Sequence, residues 1–308
     1  MFVNQRLYSI IISGYKDTSR QTLEGVLTLA RTPEVTFEVV FLENTRDGRH
    51  QDMVHGLFAG PSATGLRTLY LPHPVPGKAA AQNRGIAQAQ GEWLIFLDDD
   101  VLPAADLVLA YDHGFRTHRC GAIQGRVELL FEGGARVPSW LNERFRLDLA
   151  EMDFGNVIIP FEMGLTGASM AFRADLFKRF GGFDERFGPG RTGTLEDQEF
   201  SERIRRGGEV QLFWPEASVR HRIPPARLKV RSFAQIYFDV GYSDFFLSRH
   251  YIKGGRAKFT LYSIKDILGH LRRMLAATLR GCRADAIHAW CKLFQSYGYW
   301  RQAMRHLS

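Results

Sequence analysis

The chain has 308 residues, 45% hydrophobic and 24% charged, the balance of a globular protein with one large core or two closely packed ones. No apolar run approaches the roughly 18 residues of a membrane-spanning helix, and Tyr8–Ile12 is too short for a signal peptide, so no N-terminal leader is expected. The net charge of +7 is uneven: residues 220–308 carry 17 Lys/Arg against 4 Asp/Glu, the remainder 23 against 29. An acidic body with a basic tail suits a polyanionic partner, either nucleic acid or an anionic membrane surface. With no helix-turn-helix or RNP pattern, the expectation is no nucleic acid. Cys120, Cys282 and Cys291 show neither metal-ligand nor CxxC spacing, which argues against a disulfide framework and for buried thiols in a reducing, cytoplasmic setting.

Residues 7–13, LYSIIIS, form the apolar β-branched run of a strand buried on both faces. Gly14 ends it, and residues 19–31 place Leu23, Val26, Leu27 and Ala30 at helical spacing. A second strand is predicted at 36–42, a polar turn at ENTRDG (43–48), a third strand at 66–71, and a helix over 78–90. Gly91 stops that helix before a strand at 92–97. Strands alternating with helices specify βαβ units and a mostly parallel sheet, in which ligands bind beyond the carboxyl ends of the strands. Gly14-Tyr15, Glu43-Asn44 and the aspartates after residue 97 therefore border one rim.

The second half is less regular. A strand is expected at 121–130, then a loop-rich stretch over 131–165, a strand at 167–172 and a short helix at 174–182. A flexible glycine-rich loop over 183–195 precedes a helix at 196–206, and the strand FWPEASVRH ends at His221. In the tail, residues 261–280 put Leu261, Ile264, Ile267, Leu268, Leu271, Met274, Leu275 and Leu279 on one helical stripe. Lys265, Arg272, Arg273 and Arg280 fall on another face. Two readings stay open: a helix packed on the body, or one lying in a membrane interface.

Asp98, Asp99 and Asp100 end the buried run WLIFL. Like charges so close destabilise a fold unless something positive sits among them. An aspartate cap before a helix opened by Pro103 accounts for one or two of them; three fit a divalent cation better. Glu196 and Asp197 open a helix, where acids suit the dipole, or where a mobile loop presents a general base. His221 is either a satisfied core residue or an imidazole completing an aspartate-bound Mn²⁺ site.

The ordered set YSIIISGYKD, FEVVFLEN, GKAAAQNRGIAQAQGEWLIFLDDD, GLTGASMAFRADLFKRFGGFDERFG, LEDQEFSERIRRGG and ASVRH resembles family 2 glycosyltransferases over roughly residues 7–225. The resemblance implies the α/β GT-A fold: a Rossmann-like, mostly parallel sheet flanked by helices, here with a C-terminal helical extension. Its expected segments are 1–110 for the nucleotide-sugar half, 111–230 for the acceptor half and 231–308 for the basic helical region. It implies a metal-dependent, hexosyltransferase-type enzyme that moves a sugar with inversion from a nucleotide-diphosphate donor, foremost a UDP-sugar. The acceptor would be a glycan or lipid-linked hydroxyl in polysaccharide or glycolipid biosynthesis, worked on at the inner face of a membrane.

Residue by residue, it makes Asp98 and Asp100 the outer members of a DxD motif, with His221 a third group for Mn²⁺ or Mg²⁺. Ser13, Tyr15, Glu43 and Asn44 fall where the family holds the nucleoside, and Lys78, Asn83, Arg84, Asp98 and Asp99 near the rest of the donor. Asp197 matches the catalytic base and Glu196 its neighbour in the ED pair. The sequence departs from the family at ENTRDG (one residue short), at Gln82 (commonly Arg) and at Ser169 (frequently Asn). A non-catalytic nucleotide-sugar or glycan-binding module on the same scaffold is the alternative.

Overall fold

The structure is a computed structural model that describes residues 5–75, 77–249 and 255–306. Its first half alternates as expected: β1 (Arg6–Gly14), α1 (Ser19–Leu27), β2 (Val35–Glu43), α2 (Gln51–Phe58), β3 (Thr68–Pro72), α3 (Lys78–Gln88) and β4 (Trp93–Asp98). Only α2 has no counterpart in the sequence reading. Met53, Val54, Leu57 and Phe58 stand at helical spacing there, but over only eight residues, with Val54 alone fully buried. There follow β5 (Val101–Pro103), α4 (Leu107–Thr117), β6 (Ala122–Phe131), α5 (Glu143–Leu147), β7 (Ile159–Pro160), β8 (Met170–Arg173) and α6 (Asp175–Phe180). The chain continues through α7 (Glu196–Arg206), β9 (Gln211–Ile223), α8 (Val230–Arg249), α9 (Arg256–Leu279) and α10 (Arg283–His306).

Among the described residues nine strands form one sheet, with β3-β2-β1-β4-β8-β6-β9-β5 as its path and β7 beside β9. The β3-β2-β1-β4 side is parallel, and its two central strands are nearly continuous apolar runs because both faces are covered. Beyond β4 the pairings of β8 with β4 and β6, and of β9 with β5 and β7, are antiparallel. Register places Ser13 opposite Asp98 and Gly14 opposite Glu43, so the ends of β1, β2 and β4 share a rim.

Pro103 corrects one expectation. It opens no helix but ends β5, opposite Val219, and the helix starts at Leu107. As the last strand of the sheet, β5 is an edge, where a residue without an N–H forfeits no ladder bond.

The chain divides into two compact units. The first holds residues up to Leu130, Ala150–Glu185 and Glu196–Arg222. Its core includes a knot of rings from Phe96, Phe172, Phe177, Phe183 and Phe200, with Phe177 and Phe200 stacked at 4.5 Å. The second unit holds Phe131–Leu149, Arg186–Leu195 and the chain from Ile223 onward. Its glycine-rich segment is anchored rather than free. Phe187 is fully buried against Phe246, and Ser243 Oγ donates to Thr192 Oγ1 at 2.8 Å and is 2.9 Å from the Thr194 carbonyl.

Cys120 and Cys291 are buried, and burial pushes both thiols up to about 12. Cys282, expected inside, is exposed in the turn between α9 and α10. Among the described residues no helix is long and apolar enough to cross a membrane.

Within the second unit α8 and α10 meet backbone to backbone. A Cβ added at Gly241 would lie 1.9 Å from the Gln295 carbonyl oxygen, and one at Gly298 2.3 Å from that of Phe238. Neither oxygen can yield without moving a helix. Gly241→Ala is therefore expected to lower unfolding free energy by about 1–3 kcal/mol through overpacking, despite a helix-propensity gain of about 1 kcal/mol. Guanidinium unfolding measures it; a stability equal to or above the wild type would refute the close approach.

Candidate active site

The aspartate triplet separates into three environments. Asp99 faces inward, and its Oδ2 accepts from the backbone N–H groups of Tyr15 and Lys16 at 2.6 and 2.5 Å and from Ser19 Oγ at 3.0 Å. Burial pushes its carboxyl up. It ties the loop after β1 to the end of β4, so its oxygens serve the protein rather than a donor.

Asp100 is also buried, but it meets cations: Lys16 Nζ, and His221 Nε2 at 3.2 Å from the same oxygen, Oδ2. Burial opposes its charge, yet the hydrogen bond from His221 and the Lys16 ammonium outweigh burial and hold its carboxyl far below the usual range. The antiparallel pairing of β5 with β9 sets this contact, since His221 stands opposite Val101.

Asp98 turns to Lys78, the first residue of α3, with Nζ–Oδ1 at 2.7 Å. The same ammonium lies 3.1 Å from Glu196 Oε1. Burial works against the lysine's charge, but Asp98, Glu196 and Asp197 outweigh it and hold its pKa well above the ordinary value. Asp98 in turn stays low, because Lys78 overcomes the effect of burial.

Asp197 receives no such contact. Its Oδ2 accepts from the Gly167 N–H at 2.7 Å and its Oδ1 from the Gln198 N–H at 2.8 Å. Burial, then the neighbouring Glu196 charge, push its carboxyl up to about 7. A carboxyl whose pKa rises on folding holds its proton more tightly in the folded chain. Raising the pH from the ordinary 3.8 through about 7 thus withdraws stability at this position.

What aims Asp197 is the buried face of α7 that it shares. Phe200 and Ile204 are fully buried in the ring cluster, and Ser201, one turn from Asp197, bonds to Gln211. Three successive N–H groups of the 165–167 loop are taken by Ser201, Gln124 and Asp197. Gly167 is a site residue that sequence reasoning missed. A Cβ there would sit 2.7 Å from Lys78 Nζ, 3.3 Å from Asp98 Oδ1 and 3.5 Å from Asp197 Oδ2. Glycine is needed for proximity, which no spacing in the sequence reveals.

The remaining candidates scatter. Ser13 is buried at the rim, and its Oγ has no hydrogen-bond partner. Tyr15 is exposed, with Arg49 over its ring. Glu43 is enclosed, both oxygens taken by Thr45, His50 and Tyr70. Asn44 Oδ1 accepts from the Gly77 N–H. Asn83 clamps Phe183 through both its N–H and carbonyl, and Arg84 bonds the Pro72 carbonyl. Neither points into the carboxylate cluster. Ser169 is fully buried against the Tyr111 hydroxyl.

The expected metal set does not close on one point. Among the described residues no three His, Cys, Asp or Glu side chains form a ready cage. Asp100 and His221 nonetheless fit as a donor pair. Their 3.2 Å separation is close to that of neighbouring donors about 2.1 Å from one octahedral ion. A carboxylate beside an imidazole also suits Mn²⁺.

A model of the glycosyltransferase-like family 2 matches residues 5–235. The chain belongs to this family. Among curated proteins, the pre-mycofactocin glycosyltransferase of Mycobacterium tuberculosis is 27% identical over 227 residues, covering 71% of this chain and 46% of that protein. The chain thus spans about half the length of the curated relatives it matches. Among solved structures, the mannosyltransferase PcManGT from Pyrobaculum calidifontis, in complex with GDP-Man and Mn²⁺, superposes with a TM-score of 0.56 at 15% identity, covering 98% of this chain and 76% of that one. GalNAc-T7 with UDP, GalNAc and Mn²⁺ gives 0.54 at 15% identity, covering 77% and 48%. TarS from S. aureus gives 0.51 at 15%, covering 94% and 90%. These likenesses show the GT-A fold.

Among the described residues, Lys78 is the one ammonium within bonding distance of both Asp98 and Glu196. Lys78→Met should destabilise the protein by about 2–4 kcal/mol, below the full penalty for breaking a buried pair because Asp98 keeps part of its surface in water. The loss should be larger at pH 8 than at pH 5, since without the cation the folded carboxyls bind protons more tightly. Urea unfolding at the two pH values tests this; equal losses would contradict it.

Proposed function

We propose that this family 2 chain is an inverting glycosyltransferase that moves a hexosyl group from a nucleotide-diphosphate sugar to an acceptor hydroxyl. The observation that carries the reading is Asp197: a carboxylate aimed by two backbone N–H groups, with its pKa pushed up to about 7, beside Lys78 and Asp98. A general base works best with a pKa near the operating pH, and an Asp on a surface helix would ordinarily titrate three units lower.

In the proposed reaction Asp197 Oδ accepts the acceptor hydroxyl proton as that oxygen attacks the anomeric carbon from the face opposite the leaving group. The bond from carbon to the diphosphate oxygen breaks with its electron pair, and the nucleoside diphosphate departs. Lys78 orients and offsets negative charge at Asp98 and Glu196, keeping Asp197 as the proton acceptor of the ED pair. Exposed Tyr15 and the unpartnered Ser13 hydroxyl lie at the strand ends where a nucleoside would rest.

Asp100 and His221 would hold the divalent ion. When bound, Mn²⁺ or Mg²⁺ there supplies Lewis-acid neutralisation of the diphosphate's charge. Support comes from the Mn²⁺ named in two structural neighbours, together with UDP and GDP-Man. A UDP-sugar donor and a lipid-linked or glycan acceptor in polysaccharide or glycolipid assembly complete the proposal.

Asp197→Asn keeps the shape and loses the basicity. It should leave nucleoside-diphosphate binding intact and lower turnover by ~10²–10⁴-fold. Wild-type turnover should rise with pH through about 7 and level off above it, because the base works only when deprotonated. Donor turnover across a panel of nucleotide-sugars and pH values checks both. Near-normal rates in the variant would move the base, first to Glu196. Tight nucleotide binding without turnover of any donor would favour the non-catalytic module.

A further inference from the structure

The second unit presents an amphipathic helix turned inside out. On α9, Leu261, Ile264, Leu268, Leu271, Leu275 and Leu279 are 40 to 79% exposed, while Phe259, Ser263 and Ala277 are the residues it buries. At 100° per residue the six apolar side chains fall within about 80° of one another and opposite the buried three. Water-soluble surfaces scatter such residues singly; a contiguous stripe about five turns long marks a binding surface.

The charges beside the stripe identify what it meets. Lys258, Lys265, Arg272 and Arg273 stand on α9 and Arg280 at its C-terminal cap, against one acid, Asp266. Lys265 and Arg272 flank the leucines on one side by the same helical count. Between α9 and α10 lies a cleft of about 310 Å³ lined by Arg144, His270, Arg273, Arg280, His288 and Lys292, with Asp285 as its one acid. Crowding of cations is felt there: burial, then Arg144 and Lys292, push His288 down to about 4, and burial, then Arg273, lower His270. The histidines are thus neutral at physiological pH, and the cleft is short of negative charge.

We propose that the C-terminal helical unit docks on an anionic bilayer surface, the leucine stripe of α9 entering the acyl boundary and the flanking Lys265 and Arg272 meeting lipid phosphates. A second copy of the chain is the poorer occupant. Stripe-to-stripe pairing would bring together two segments that each hold 17 Lys/Arg against 4 Asp/Glu, whereas an anionic surface complements them.

The experiment sediments the full chain with vesicles of phosphatidylcholine alone and of phosphatidylcholine with phosphatidylglycerol, at low and high salt. The wild type should pellet with the anionic vesicles at low salt, and release at high salt. Leu268→Gln with Leu275→Gln should weaken that binding by about tenfold or more while keeping the wild-type melting temperature, since both side chains are exposed. Lys265→Gln with Arg272→Gln should reduce the salt dependence. The proposal is overturned if the wild type stays in the supernatant with anionic vesicles, or if the leucine variant pellets as well as the wild type. Calorimetric binding of inorganic phosphate without vesicle binding would assign the cleft to a free anion. Self-association abolished by the leucine variant, again without vesicle binding, would make a second copy the occupant; either result refutes the bilayer.

Discussion

Five carboxylates, Asp98, Asp99, Asp100, Glu196 and Asp197, are drawn out of bulk water at the ends of β4 and α7, and each must find positive charge or hydrogen-bond donors there. Asp99 is met by N–H and hydroxyl donors, Asp100 by Lys16 and His221, and Asp98 and Glu196 by Lys78. Asp197 is left with backbone N–H groups and a raised pKa. Much of the first unit's local geometry answers to this demand. Alignment of β1 with β4 brings the loop after Gly14 over Asp99. The start of α3 delivers Lys78, the edge pairing of β5 and β9 delivers His221, and the absence of a side chain at Gly167 lets these groups approach.

The two lysines differ in a way that bears on function. The Lys78 side chain is 13% exposed and shared by two carboxylates; that of Lys16 is 45% exposed. A buried ammonium with two partners is fixed machinery, because removing it strands both anions. A half-exposed one on a flexible stem can leave for water at small cost, and another cation can then take its place beside Asp100 and His221. Under the proposed function, one cluster is thus satisfied by the protein alone and can exchange Lys16 for an incoming ion and its diphosphate.

The parallel half was legible because both faces of β1 and β2 are buried, and continuous apolar runs punctuated by glycine announce such strands. Helix α2 was not, because its apolar set, Met53, Val54, Leu57 and Phe58, spans little more than one turn. Pro103 misled because proline suits a first helical turn and an edge strand equally, and only the pairing partner decides. The loop over 183–195 looked free from its glycines, but Phe187 and Thr192 are buried and hold it. Within the site, the acids and His221 could be picked out by type and position. The assignment of Asp99 to the loop and of Asn83 to Phe183 depends on which way each side chain points, and neighbouring residues of one triplet differ entirely in that. The stripe on α9 was legible as a stripe; that it faces outward is a tertiary fact.

The central claim is that the Asp100–His221 pair trades its lysine for a divalent ion when nucleoside diphosphate binds. Titration calorimetry of UDP and GDP into the wild type and Asp100→Ala, each with and without Mn²⁺, tests this most directly. The account predicts that Mn²⁺ tightens nucleotide binding to the wild type and does nothing for the variant. Equal affinity in the wild type and the variant, with and without Mn²⁺, would contradict it.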